Sequence, residues 1–229
     1  MDAKRILDFL NELQANNNKA WFDANRKEYE AVKADFQSFT QELIDGVERF
    51  DKRVSGVTVS DCTYRINRDI RFSKDKSPYK THFGAFIAPK GKKSGYGGYY
   101  FHIQADGDEY LDNNMLAIGM YCHSPAELES IRTEIYDNPL QFEKALKTAK
   151  GFDFDITEKL VKAPKGFPSD FEYVDYLKYK AYCISMPLKK ETLFSPDLKD
   201  FVLQRFKTGH AFNEIINKAI EYVRTEESV

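Results

Sequence analysis

The chain of 229 residues is short of cysteine, of long apolar runs and of net charge, and each shortage excludes a class of protein. Its three cysteines, Cys62, Cys122 and Cys183, are odd in number and widely spaced, which argues against a disulfide framework and for a reducing compartment. No apolar stretch approaches the roughly 18–20 residues that cross a bilayer. The opening Met1-Asp2-Ala3-Lys4-Arg5 leads straight into an amphipathic pattern, with no signal-peptide core. Lys and Arg number 34 against 36 Asp and Glu, so the balance of −2 lacks the broad positive field of a dedicated nucleic-acid or membrane-surface protein. The four histidines, His82, His102, His123 and His210, have no zinc-site spacing, and adjacent Cys122 and His123 would face opposite ways on a strand. Gly91-Lys92-Lys93-Ser94 fails as a phosphate loop because Phe86 stands where the first glycine belongs. Gly95-Tyr96-Gly97-Gly98 lacks the following helix of a dinucleotide site. The expectation is a soluble cytoplasmic protein with no metal, no cofactor and no membrane partner.

What is present is a globular composition, 42% apolar with 14% aromatic, enough to build a packed core. Ile6, Leu7, Leu10 and Leu13 make a helical stripe over residues 3–15, ended by Asn16-Asn17-Asn18, with Asn18 placed to cap the next helix. Val32, Phe36, Phe39, Leu43 and Gly46 recur at steps of three and four and predict a long amphipathic helix whose stripe is core. Residues 53–105 then switch to period two. Val57-Thr58-Val59 and Cys62–Phe72 read as strands, and 81–88 with 99–104 as a hairpin around a Pro89–Gly98 loop. Met115–Tyr121 adds a strand. Ser124-Pro125 with Glu127, and then Asn138-Pro139, open two helices. A Gly/Pro-punctuated connection over 151–170 precedes a helical turn at 173–177, a returning strand at 180–186 and two closing helices. There is no repeat, low-complexity tract or linker. The order implies one α+β domain over residues 1–229, its central, largely antiparallel sheet flanked by N-terminal and C-terminal helices.

One stretch departs from the even charge balance. Between Arg65 and Lys80 stand six cations (Arg65, Arg68, Arg71, Lys74, Lys76 and Lys80) and two acids (Asp69 and Asp75), a surplus of +4 that leaves −6 for the rest of the chain. Guanidinium groups keep their charge, so the surplus must be met by acids, by water or by a bound anion. On a strand, Arg65, Asn67, Asp69 and Arg71 share one face, and Arg68 falls among Tyr64, Ile66, Ile70 and Phe72 on the other. Arg68 then needs a partner from another segment, and Asp75 is reachable through the turn that Pro78 fixes.

Arg65-Ile66, Arg68-Asp69, Arg71-Phe72-Ser73 and Asp75-Lys76-Ser77-Pro78-Tyr79-Lys80-Thr81 resemble the signature of a family of conserved hypothetical proteins of bacteria and fungi, a domain of unknown function. Asn16-Asn17-Asn18 with Trp21-Phe22, Ala163-Pro164-Lys165-Gly166-Phe167 and Leu177-Lys178 extend the likeness over nearly the whole chain. The resemblance implies a single-domain protein and brings no activity with it. Cys122-His123, where the family pattern calls for an apolar residue, speaks against a shared role for either.

Three readings of the basic stretch stand side by side: a solvated sheet edge, a structural ion network, and an anion pocket. The pocket reading names Arg65, Arg68, Asp69, Arg71, Asp75, Lys76, Tyr79, Lys80 and His82 as ligand-binding, with the arginines around a phosphate or carboxylate and Tyr79 or His82 orienting it or exchanging a proton. Its rival is a non-catalytic module that docks nucleic acid or an acidic protein surface through the same edge, aided by interleaved tyrosines. The sequence specifies neither a reaction nor an oligomeric state.

Overall fold

A four-stranded antiparallel sheet, built from β1 (His82–Ile87), β2 (Gly98–Gln104), β3 (Met115–Met120) and β4 (Tyr182–Pro187) in that spatial order, organises the computed structural model. The structure describes residues 1–108, 111, 113–154 and 156–226. The fold is α+β, with N-terminal and C-terminal helices flanking the sheet. The register sets Phe86 opposite Tyr100, Gly84 opposite His102, and Tyr100 opposite Ala117. Side chains alternate across a strand, so Tyr99, Phe101 and Ile103 share one face with Leu116 and Ile118, and Tyr100, His102 and Gln104 occupy the other.

The first face carries the core. Helices α1 (Ala3–Ala15), α2 (Lys19–Ala24) and α3 (Arg26–Glu48) lead into it, and the expected stripe of α3 is buried at Val32, Phe36, Phe39, Leu43 and Gly46. Phe101 meets Phe39 edge-on at 5.2 Å between ring centroids and Phe36 at 6.2 Å. Asn18 caps α2 as the sequence suggests, its side chain accepting from the Trp21 amide. After the short α4 (Val59–Cys62) and the first three strands, α5 (Pro125–Asp137), α6 (Pro139–Thr148) and the single turn α7 (Val174–Leu177) fill the excursion from β3 to β4. The end of the chain forms α8 (Lys190–Leu193), α9 (Leu198–Thr208) and α10 (His210–Glu226). Gly46 is where α3 meets α9: a Cβ there would lie 2.4 Å from the Leu203 side chain. Asn213 and Asn217 of α10 hold both backbone groups of Gly97 and so fix the loop before β2.

Two expected strands are absent. Val57-Thr58-Val59 gives way to α4, because Thr58 and Asp61 form a reciprocal capping box that satisfies the helix start locally. Cys62–Phe72 is extended without joining the sheet: Thr63 makes a single bridge to Ala85 of β1, and Asn67 another to Tyr79. Its alternation is not expressed either, since Ile66 is buried whereas Tyr64 and Phe72 are exposed. The stretch folds back on itself through local charge pairing. Among the described residues no helix is long and apolar enough to cross a membrane.

Candidate functional site

The loop formed by residues 64–80 is built around Asp75. This carboxylate accepts from the Ser77 amide at 2.9 Å and the Ser77 hydroxyl at 2.7 Å, closing a turn of the Asx kind. It also pairs with Arg68, whose second nitrogen reaches Ser73 Oγ at 3.4 Å. The Ser77 amide first, then Arg68, hold the Asp75 carboxyl far below the ordinary range. The partner foreseen for Arg68 is therefore the one it has. Its surroundings differ from the strand picture, because the guanidinium lies at a cleft edge and Asp75 is largely in solvent. A partly exposed pair contributes little. Arg68→Ala should accordingly shift the melting temperature by less than about 4 °C, in thermal unfolding of the two proteins side by side.

The far end of the loop is clamped by Asn17. Its side chain donates to the Tyr79 carbonyl at 2.9 Å and accepts from the Tyr79 amide at 3.1 Å. On the opposite side Arg68 N–H donates to Pro78 O and Lys80 N–H to Ile66 O. The Tyr79 ring is buried, stacked on Phe22 at 3.9 Å. This sets its place as structural anchor of the site.

Arg68, Asp69, Asp75, Tyr79, Lys80 and His82 line one cleft of about 710 Å³ together with Gln14, Asn17, Ser77, Thr81, Gly107 and Asp108. Arg65, Arg71 and Lys76 are not on it. Arg71 forks onto Asp69 at 3.0 and 2.6 Å with both groups exposed, and Lys76 donates to the Ile70 carbonyl at 2.9 Å. Asp108 in turn accepts from the Thr81 hydroxyl. Among the described residues three carboxylates thus share the cleft with Arg68 and Lys80, so its walls are mixed in sign.

Lys80 is different from the other cations. It is half-buried, its ammonium lies 5.5 Å from the centre of the Tyr64 ring, and Lys92 approaches the same ring at 5.8 Å. Burial first, and then nearby Arg65, lower its pKa, and no described carboxylate counters them. His82 follows two residues later with its pKa pushed down to about 3 by burial and then by His102 and Lys80. It is neutral near pH 7 and can bond to a ligand there without serving as a proton carrier.

Beneath His82, at 5.0 Å between ring centroids, is a histidine considered from the sequence only as a zinc ligand and left out of the candidate site. His102 is fully buried and lies between Tyr100 OH at 2.8 Å from Nδ1 and Gln104 Oε1 at 2.8 Å from Nε2. Gln104 donates its amide to the Asp108 carbonyl at 2.8 Å, which turns Oε1 toward the histidine. His102 must then carry its proton on Nε2 and accept the Tyr100 hydroxyl at Nδ1. Burial lowers its pKa to about 4, so the neutral ring persists at physiological pH. Gly84 leaves room for this hydroxyl, since a Cβ in its place would lie 2.5 Å from the Tyr100 oxygen and would displace the ring. The signal was in the sequence: Tyr100, His102 and Gln104 alternate with Tyr99, Phe101 and Ile103.

Fold and cleft together define a small α+β domain that carries a polar pocket between a charged loop and the edge of an antiparallel sheet. The chain belongs to the conserved hypothetical protein family DUF2461, whose sequence profile matches residues 5–214. No curated protein and no solved structure matches it.

Proposed function

We propose that the protein binds a small ligand through a phosphate or carboxylate group at Lys80, in the cleft bounded by Arg68 and His82. The observation that carries this reading is Lys80 itself: a half-buried ammonium whose charge no described acid meets, on the wall of a cavity large enough for a metabolite. Its electrostatic need is the kind a bound anion satisfies. Arg68, held by Asp75, adds directional N–H groups at the same edge. The free thiols agree with a reducing, cytoplasmic location.

Thermal unfolding and calorimetry of wild type and Lys80→Ala with sodium phosphate test it. At about ten times its Kd an anion stabilises by about 1.4 kcal/mol and raises Tm by about 3–6 °C. Lys80→Ala should lose that shift. A wild type that neither phosphate nor acetate stabilises overturns the reading.

A second reading attaches to the loop tip. Phe72 is 96% exposed beside Arg71, whose guanidinium lies 5.8 Å from its ring, and Arg65 and Lys74 are exposed nearby. An aromatic among cations suits stacking on single-stranded nucleic acid or docking on an acidic surface. Salt separates the two: an extended phosphate track gives a steep dependence, several counterions released, against about one for a small anion.

A further inference from the structure

The same strands that bury large side chains on the helix-covered face carry small ones on the opposite face. On β3, Leu116 and Ile118 enter the core, while Ala117 and Gly119 face away; on β4, Tyr182, Ile184 and Met186 alternate with Cys183 and Ser185. The result is a trough in the sheet surface, a cavity of about 550 Å³ floored by Ala117, Met115 and Cys183 and walled by Phe86 and Tyr100. Its volume lies in the range of small-molecule sites. Lys80 and His82 line this cavity as well as the polar cleft, so the two spaces meet at these residues.

Among the described residues that line it, charge is confined to one end. Lys80 and Lys92 flank the Tyr64 ring at the rim, and Lys92 spends one proton on the Ser60 carbonyl at 2.6 Å, leaving two for another acceptor. The floor offers mainly carbon and sulfur, a poor host for ordered water. An apolar trough with two ammonium groups at its mouth is complementary to a molecule that is flat and apolar along its length and anionic at one end.

We propose that the ligand of this site is amphiphilic, with its phosphate or carboxylate at Lys80 and Lys92 and a flat apolar body lying on the sheet over Ala117. This inference rests on the anion reading above and narrows it: the apolar body, rather than the anion alone, supplies most of the affinity.

Calorimetry on the full chain tests it with matched probes, inorganic phosphate against phenyl phosphate and acetate against benzoate. The two pairs identify which anionic group the site prefers. Wild type should bind the phenyl member of the preferred pair about tenfold or more tighter than its small partner, as burial of a ring requires. Ala117→Leu projects into the trough and should abolish that gain while leaving affinity for the small anion unchanged. Lys80→Ala should lose both. Phe86→Ala, at the wall, provides an independent check if Ala117→Leu does not fold, and should weaken only the phenyl ligand, by several fold. Equal affinities within both pairs, or a phenyl gain that survives both trough variants, overturn the inference while the anion site stands. If neither small anion nor phenyl ligand binds wild type, the anion reading falls and this one with it.

Discussion

Phe39→Ala is expected to destabilise the protein by about 3–5 kcal/mol, the largest single-residue effect anticipated here. The ring is 3% exposed and meets Phe101 edge-on across the α3–sheet contact, with Phe36 one turn away packed on Phe83 at 5.2 Å. Alanine would remove the transfer energy of the ring and leave a void that α3 cannot close, because Gly46 already brings it against Leu203. Urea unfolding measures the loss. A value below about 1 kcal/mol would mean that the helix repacks freely over the sheet.

Acid should weaken the fold well before its carboxylates titrate. His102 and His123 have pKa values pushed down to about 4, and His82 to about 3, in each case chiefly by burial. In the unfolded chain these rings titrate near 6.5. From about pH 6.5 down to about 4 the unfolded state therefore takes up protons that the folded state refuses, and stability falls with pH at a slope approaching about 4 kcal/mol per unit if all three rings stay neutral. Above pH 7 the contribution is fully present. His82 continues the decline to about pH 3, and Asp75 and Asp69, held low by the Ser77 amide and by Arg71, add a further loss once pH falls below the ordinary carboxylate range. Urea midpoints at several pH values read the slope directly. His102→Gln should reduce the uptake by about one proton whatever its effect on absolute stability. A stability that is flat between pH 6.5 and 4.5 would contradict the burial of all three rings.

The helices were legible because their signals are local. The stripe of α3 and the Ser124–Glu127 capping box both appear where residue spacing puts them. The hairpin of β1 and β2 is equally plain from its alternation. Tyr64–Phe72 misleads because its period of two imitates a strand, whereas its acids lie within reach of its own arginines. Asp69 is two residues from Arg71 and Asp75 seven from Arg68, so two of the loop's arginines are paired within the loop without joining a sheet. Short-range chemistry overrode periodicity. For the site, six of the nine expected residues line one cleft, and Asp75 as the partner of Arg68 followed from the cost of burying a lone guanidinium. The alternation of Tyr100, His102 and Gln104 with Tyr99, Phe101 and Ile103 was legible, but the buried hydrogen-bonded chain they form and the Ala117 trough were not. They depend on which face of the sheet the helices leave uncovered, and that is decided by contacts between distant parts of the chain.

The clamp of Asn17 on Tyr79 has a consequence for how the molecule breathes. A side-chain amide here stands in for a peptide unit, so the end of the loop at Tyr79 is hydrogen-bonded on one edge by the chain near residue 67 and on the other by the junction between α1 and α2. The Tyr79 amide hydrogen can exchange with solvent only when that junction lets go, which ties its lifetime to the docking of the first two helices instead of to fluctuation of the loop. Local opening at the ligand cleft and detachment of the N-terminal helices then belong to one cooperative unit, although 62 residues separate the two groups that join them.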